Sequence, residues 1–362
     1  MTTDKKSSTF KGKKLKIEIF GGSHTRKIGV KIKGLKGEKF NEAKLFEFMQ
    51  RRRARNTVFS TKRLEDDAVI FEKGVLDGEI NGDIKASIKN KVQNSKDYSK
   101  LFKIPRPSHA DFVAYSKYGD TFDYRGGGKF SGRMTAPMCI AGGILKQILE
   151  EKGIKINAFI SRIGNIQGTT YDDICQSQLS FEDIDGEFPI IKTSDKQKML
   201  EEIESARQNL DSVGGTIDCV ITGVPVGAGE YMFDSIEGII SSLVFSVPAV
   251  KGIEFGSGFS LAKMRGSFAN DQFYFDSEKK VKTKTNNNGG INGGMANGMP
   301  ITFRVVIKPT PSIAKEQNTV NLIDKTMVKI KIEGRHDSCI VPRAVPVIES
   351  VSAIAIYECL GE

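Results

Sequence analysis

The sequence predicts an α+β fold. Three observations carry that reading: segments of alternating apolar and polar residues stand beside segments of helical spacing, the two kinds do not alternate in a βαβ rhythm, and no fixed-period repeat runs through the 362 residues.

The elements follow in order. Leu15, Ile17 and Ile19 alternate with lysine and glutamate up to Phe20, the period-two signature of a half-buried strand. A glycine-bearing turn, Gly21-Gly-Ser-His-Thr25, leads to a second strand through Val30–Ile32, which puts His24 in a strand-to-strand connection. Asn41 is placed to cap a helix that carries Glu42 in its first turn, shows Leu45, Phe48 and Met49 on one face, and ends in Arg51-Arg52-Arg53. Consecutive arginines cannot share one direction on a helix, so at least one turns inward or into a cleft. A longer helix has Thr135 as its cap and Pro137 in its first turn, and keeps Met138, Ala141, Ile144, Leu145, Ile148 and Leu149 in step until Gly153. Met199, Ile203, Ala206 and Leu210 mark another helix, ahead of Asp211-Ser-Val-Gly-Gly215 and a strand near Thr216–Thr222. Ser277–Asn288, rich in lysine and asparagine, reads as a mobile surface loop. A strand over Ile301–Ile307 runs into the stiff corner Lys308-Pro-Thr-Pro-Ser312, and the last helix starts at Pro346 and passes through Ile348, Val351, Ala355 and Tyr357.

Composition narrows the class. Hydrophobic residues at 39% and charged residues at 27% fit a globular chain that buries a sizeable core, and the length admits several domains or one large one. The five cysteines are scattered and form no C-x-x-C pair, which supports neither a disulfide framework nor a zinc site and fits a reducing cytoplasm. The first fifteen residues are lysine-rich and lack the apolar stretch of a signal peptide. No segment approaches the roughly 20 apolar residues of a spanning helix, so no membrane association is expected. The net charge of +10 admits two explanations, nucleic acid or a multiply anionic small molecule. Lysines are spread along the chain while arginines recur beside glycine and histidine, which favours the small polyanion.

The chemistry-bearing segments are few. Only three histidines occur, in Gly21-Gly-Ser-His-Thr25, Arg106-Pro-Ser-His-Ala-Asp111 and Gly334-Arg-His-Asp337. Histidine gives and takes protons near neutrality, so these polar settings point to an acid/base site. Arg125-Gly-Gly-Gly-Lys129-Phe-Ser131-Gly-Arg133 is a basic glycine loop leading into a helix N-terminus, a setting whose N–H groups favour an anion. The asparagine- and glycine-rich segment from Asn286 to Gly298 permits close backbone approach to a flat ligand or phosphate, with a flexible linker as its other reading.

Arg106-Pro-Ser-His-Ala-Asp111, Lys117-Tyr-Gly and Asp123-Tyr-Arg-Gly-Gly-Gly128 resemble chorismate synthase. The likeness extends through Ser95-Lys-Asp-Tyr98, Asp211-Ser-Val-Gly-Gly215, Gly223-Val-Pro-Val-Gly227 and Pro248-Ala-Val-Lys-Gly-Ile-Glu-Phe-Gly256 to Gly334-Arg-His-Asp-Ser-Cys-Ile-Val-Pro-Arg-Ala-Val-Pro-Val-Ile-Glu349. The resemblance implies one domain over residues 1–362, with helices sandwiched between antiparallel β-sheets, assembled as a homotetramer. It implies a lyase that forms chorismate from 5-enolpyruvylshikimate 3-phosphate by removing phosphate and a ring proton, with reduced FMN required. Whether NADPH reduces the flavin in the same chain or a separate flavin reductase does so stays open.

By the same resemblance His109 protonates the departing phosphate, His24 sits near the reduced flavin, and Asp337 is associated with flavin N5 and removal of the ring proton. His336 is structural or supporting. FMN contacts carry onto Lys129, Phe130 and Ser131, Pro248 and Ala249, Gly293, the corner Lys308, Pro309, Thr310, Pro311 and Ser312, and Arg335. The substrate carries two carboxylates and a phosphate, which suit the planar fork of arginine. Arg52, Arg106, Arg133 and Arg335 are the candidates, ahead of Arg51. Two departures stand out. Gly22 replaces a glutamate of the family pattern and Thr25 a glycine, which puts a Cβ where the turn would need positive φ. Arg51-Arg52-Arg53-Ala54-Arg55 lacks the proline of the family run, and Val58 stands where some members have arginine. The rival to an active enzyme is a divergent, non-catalytic flavin- or anion-binding relative.

Overall fold

The architecture was obtained as a computed structural model that describes residues 7–54, 57, 66–90, 103–121, 123, 125–176, 184, 186–332 and 337–361. Ser8–Lys11 (β1), Lys16–Phe20 (β2), Lys27–Lys33 (β3), Val69–Leu76 (β4) and Glu79–Lys89 (β5) form one antiparallel sheet in the order β1-β2-β3-β5-β4. Lys155–Ile163 (β6), Ile166–Gln167 (β7), Gly215–Thr222 (β8) and Val250–Phe255 (β9) belong to a second sheet. Two hairpins follow, Phe273–Phe275 (β10) with Val281–Thr283 (β11), and Ile291–Asn292 (β12) with Met295–Ala296 (β13). Ile301–Ile307 (β14) then completes the second sheet, whose antiparallel order is β7-β6-β8-β14-β9, and Gln317–Asn321 (β15) pairs with Thr326–Ile330 (β16) as a ribbon.

The helices are Glu42–Arg52 (α1), Asp111–Tyr118 (α2), Thr135–Glu151 (α3), Tyr171–Gln176 (α4), Thr193–Gln208 (α5), Ile236–Val244 (α6), Gly266–Ala269 (α7) and Val341–Cys359 (α8). Helices α3 and α8 pack on each other. The first sheet covers α3 through β3 and β5, and the second covers α8 through β6 and β8. Helices therefore lie between two antiparallel sheets. Strand alternation explains the layering: Ile28, Val30 and Ile32 face the helices, while Lys31 and Lys33 on the other face pair with Glu18 and Asp83. Where α3 crosses α8, a Cβ on Gly142 would lie 2.2 Å from Ser350 Cα, so only glycine permits the approach.

Most elements fall where the sequence puts them, and four details differ. Thr135 is the first residue of α3 instead of its cap. Its hydroxyl donates to Gly132 O at 2.7 Å and accepts from Arg52 Nη1 at 3.1 Å. Leu210, in step with α5, lies beyond its end with φ 58° and is exposed. The segment Ser277–Asn288 contributes β11 to a hairpin instead of forming only a loop. Helix α8 starts at Val341, with Pro342 in its first turn and Pro346 inside it. Pro346 lacks the N–H that the Pro342 carbonyl would take, which makes it read as a helix start. The near-complete burial of α8 outweighs that lost bond. Among the described residues, no helix is long and apolar enough to cross a membrane.

Candidate active site

A cavity of about 1620 Å³ opens where the N-terminal ends of α3 and α8 meet the loops of both sheets. Its lining includes Gly21, Gly22, Thr25, Arg52, Asp67, Arg106, His109, Lys129 to Thr135, Pro248, Ala249, Lys308, Thr310 to Ser312, Asp337 and Arg343. Residues far apart in sequence converge here.

The glycine loop organises the two described histidines. Gly126, Gly127 and Gly128 take φ of 57°, 80° and 52°, conformations that side chains resist. A Cβ on Gly126 would lie 2.2 Å from His24 Cε1, and one on Gly127 would lie 3.4 Å from His109 Nε2. His24 and His109 thus lie against neighbouring residues of one loop: a side chain on Gly126 would displace His24, whereas one on Gly127 would meet His109 at ordinary contact distance and be opposed by its positive φ.

His24 is buried beside that loop. Ser23 Oγ lies 3.1 Å from His24 Nδ1 and also faces the carbonyls of Arg125 and Gly126, at 3.1 and 3.2 Å. A hydroxyl has one hydrogen to give. With it directed at a carbonyl, Oγ accepts from Nδ1–H, a tautomer assigned from the network. The departures of the first motif are accommodated. Thr25 stays out of the positive-φ region, and Gly21 makes the turn at φ 93°. The Thr25 hydroxyl donates to Gly22 O at 2.8 Å and accepts from Gly22 N at 2.9 Å, closing the turn with its side chain.

His109 sits in a tight polar cluster. Its Nδ1 is 2.6 Å from Asp111 Oδ1 and 2.9 Å from Arg106 Nη2. Asp111 also accepts from Arg106 Nε at 2.7 Å and Nη2 at 2.8 Å. A carboxylate at 2.6 Å makes Nδ1 the protonated nitrogen and leaves Nε2 on the Gly127 side. Burial pushes the His109 pKa below its ordinary value, aided by the charges of Arg106 and Lys308, while Asp111 works in the opposite direction. Burial alone would raise Asp111, yet the hydrogen bonds from Arg106 and His109 hold it well below the usual carboxylate range.

The arginines divide by their partners. Arg52, inward as the triple run requires, and Arg133 both reach the buried Asp67. Arg106, also in the lining, pairs with Asp111 and, through Nη1, with Ser312 Oγ at 3.1 Å, so its fork orients the histidine cluster. Arg51 forks onto the buried Glu349 at 2.7 Å twice, a structural pair away from the chemistry. Asp337 is held by Arg343 Nη1 at 3.0 and 2.9 Å, and Arg343 Nε donates to Arg52 O at 3.2 Å, linking α8 to the end of α1.

Lys129, Phe130, Ser131, Pro248, Ala249, Lys308, Thr310, Pro311 and Ser312 share the cavity. Lys308 Nζ donates to Ser108 O at 2.6 Å. Buried polar atoms of the wall without a hydrogen-bond partner among the described residues include Thr310 Oγ1 and Arg52 Nε. Pro309 and Gly293 are not among the lining residues. Pro309 packs on Gly214, while Gly293 and Gly294 form a two-residue hairpin turn between β12 and β13 at φ 61° and 92°. Gly229 pairs with Met295 and bonds Cys359 O, which sets that hairpin at the far end of α8. Arg335 and His336 lie outside the described residues, as do Ser95-Lys-Asp-Tyr98, Arg55 and Val58.

Asp67, Asp111, Ser23 and Arg343 were missed as site residues. Asp111 carried a signal, since it stands two positions after His109 in a quoted motif. Asp67 carried none, being an unremarkable acid 15 positions from Arg52.

The family model of chorismate synthase matches residues 15–360. The chorismate synthase of Thermococcus kodakarensis is 42% identical over 353 residues, covering 97% of each chain. That of Methanocaldococcus jannaschii is 40% identical over 360 residues, covering 96% of this chain and 95% of its own. A crystal structure of chorismate synthase shares the fold with a TM-score of 0.71 at 22% identity, over 96% of this chain and 92% of that one. The chain belongs to the chorismate synthase family.

Proposed function

We propose that this protein catalyses the anti-1,4-elimination of phosphate and a ring proton from 5-enolpyruvylshikimate 3-phosphate to give chorismate, with reduced FMN bound in the same cavity. The observation that supports the reading is that His109 lines the cavity with Arg52, Arg106 and Arg133, while His24 packs behind the same glycine loop against Gly126.

The wall fits a phosphorylated, ring-bearing cofactor. The loop around Gly128 lines the cavity with backbone held at positive φ, which leaves no side chain between it and a ligand, and Thr310 Oγ1 is a buried hydroxyl without a partner among the described residues. Lys129, Phe130, Ser131, Pro248, Ala249, Lys308, Thr310, Pro311 and Ser312 would hold it, with Arg335. Reduced FMN, when bound, supplies electron density to the centre that loses phosphate.

The chain's own residues supply binding and proton handling. Arg52 and Arg133 bind the substrate's anionic groups. His109, as imidazolium, delivers a proton from Nε2 to the departing phosphate, while Asp111 holds Nδ1–H and steadies the cation; a positioned acid contributes roughly 10²–10⁴-fold. Asp337, oriented by Arg343, faces the proton-removal step. His24, anchored at Nδ1 by Ser23 behind the glycine loop, would tune the polarity around the cofactor. Burial of these groups excludes water, which strengthens each interaction.

Anaerobic incubation with reduced FMN and the substrate tests the reading: chorismate and phosphate should appear together. Retained flavin without turnover would instead mark a non-catalytic relative. We infer a homotetramer as well, in a cytoplasmic setting. Phe259, Phe268, Phe273 and Phe275 stand exposed on a single chain, an apolar surface that association would cover. Sedimentation should return four times the monomer mass. Turnover with added NADPH and oxidised FMN alone would show that no separate reductase is needed.

A further inference from the structure

The cavity wall holds an ion triad that the elimination as proposed does not explain. Asp67 is 1% exposed, and its two oxygens serve two different guanidiniums: Oδ2 accepts from Arg52 Nη2 at 2.9 Å, and Oδ1 accepts from Arg133 Nη1. Thr135 Oγ1 braces Arg52 at 3.1 Å, and Asn90 Oδ1 braces Arg133 Nε at 3.1 Å. Asp67 itself takes φ 50°, a left-handed conformation that a non-glycine residue adopts at a cost. The backbone is bent to deliver this carboxylate between the two cations. Burial raises the Asp67 pKa, but Arg52 and Arg133 together hold it below the ordinary value, so it stays anionic.

The arithmetic of charge matters. Two arginines alone would present a charge of +2 to any anion in the cavity; with Asp67 the triad carries +1. Paired guanidiniums in a desolvated wall bind phosphate strongly and bidentately. An enzyme that releases phosphate on every turnover is poorly served by a pair that retains it.

We propose that Asp67 is a positioning residue acting as the built-in counterion of Arg52 and Arg133, aligning both guanidiniums and limiting how tightly they hold a free anion. It rests on the reading of these arginines as anion contacts. Without the carboxylate, the buried cations recruit an anion from solution, because an uncompensated buried charge is costly.

Asp67→Asn tests this, with inorganic phosphate as the probe. The substitution keeps the shape, removes the charge and turns an amide N–H toward one guanidinium. Phosphate affinity is measured by calorimetry, and thermal unfolding of the full chain is followed in phosphate and in chloride of equal ionic strength. Asp67→Asn should bind phosphate about tenfold or more tighter than the parent protein, and its melting temperature should rise more with phosphate. In turnover, phosphate should become a stronger inhibitor. Equal or weaker phosphate binding in the variant overturns the proposal, since a merely structural carboxylate would not restrain anion affinity. Should Asp67→Asn fail to accumulate folded in chloride, refolding in phosphate decides: recovery supports the counterion role and failure to recover overturns it. Arg52→Ala separates the two layers. An unchanged KM there sinks the assignment of the arginines to the substrate, whereas a raised KM beside unaltered phosphate affinity in Asp67→Asn sinks only the counterion.

Discussion

Gly126 lies directly on His24: an alanine there would set its Cβ 2.2 Å from Cε1 and 2.6 Å from Nδ1 of the imidazole. The position also holds φ 57°, so a side chain is strained as well as obstructed. Gly126→Ala is therefore expected to push His24 off its Ser23 anchor. A displacement of that order costs roughly 10²-fold in turnover, with about 1–3 kcal/mol lost from stability through overpacking. Gly82→Ala, in β5 and outside the cavity lining, is the control: nothing lies within 4 Å of its Cβ, and it should leave both turnover and melting nearly unchanged.

The sign of the pH dependence at His109 follows from its surroundings. Burial, Arg106 and Lys308 hold its pKa below the ordinary value, so in the free protein the imidazole is largely neutral at pH 7. An acid must be protonated, and kcat/KM should fall as pH rises through this lowered value. A bound phosphate dianion favours the imidazolium, so the falling limb of kcat should lie at higher pH than that of kcat/KM. Asp111→Asn removes the carboxylate that favours the cation and should move both limbs to lower pH. Coincident limbs in the parent protein would argue against His109 as the proton donor to phosphate.

What could be read from the sequence was what local pattern controls. Asn41 does cap α1, accepting from Lys44 N at 3.0 Å, and β14 spans the expected Ile301–Ile307 because alternation and flanking turns decide a strand locally. The start of α8 was hidden because Pro346 imitates a helix beginning, whereas the burial that outweighs it comes from α3 and the second sheet. In the site, His109 was legible through its motif. Gly293, read as a ligand contact, stands in a hairpin turn outside the cavity lining of the single chain. Asp67 was invisible and Arg343, though inside a quoted motif, had no readable role, because their value arises from partners that only the fold assembles: Arg133 is 66 positions from Asp67, and Arg52 is 291 from Arg343.

Ser108 holds φ 58° immediately before His109, and its carbonyl takes the Lys308 ammonium at 2.6 Å. Neither feature uses the serine side chain. Ser108→Gly should relieve a left-handed residue while retaining the carbonyl contact. The gain is about 0.5–1 kcal/mol once the extra freedom of glycine in the unfolded chain is offset. Thermal unfolding should show a higher midpoint, and turnover should be preserved.

Glu349 ties the three central helices together, receiving Arg51 from α1 and Lys146 from α3 at 2.7 and 2.8 Å while fully withdrawn from solvent on α8. Burial would raise its pKa, but the charges of Lys146 and Arg51 bring it down to about 2. A carboxyl depressed in the folded state contributes stability above its unfolded value, near 4.3, and loses that contribution as pH falls toward its folded value. The protein should therefore lose stability between about pH 4.3 and pH 2 in part through this one group. Glu349→Gln strands two cations and should cost about 3–5 kcal/mol at neutral pH. The same variant should also flatten the acid limb of the stability curve, because the titrating group is gone. Denaturant unfolding at pH 7 and at about pH 2.5 measures both effects, and a parallel acid loss in variant and parent would show that Glu349 is not the group responsible.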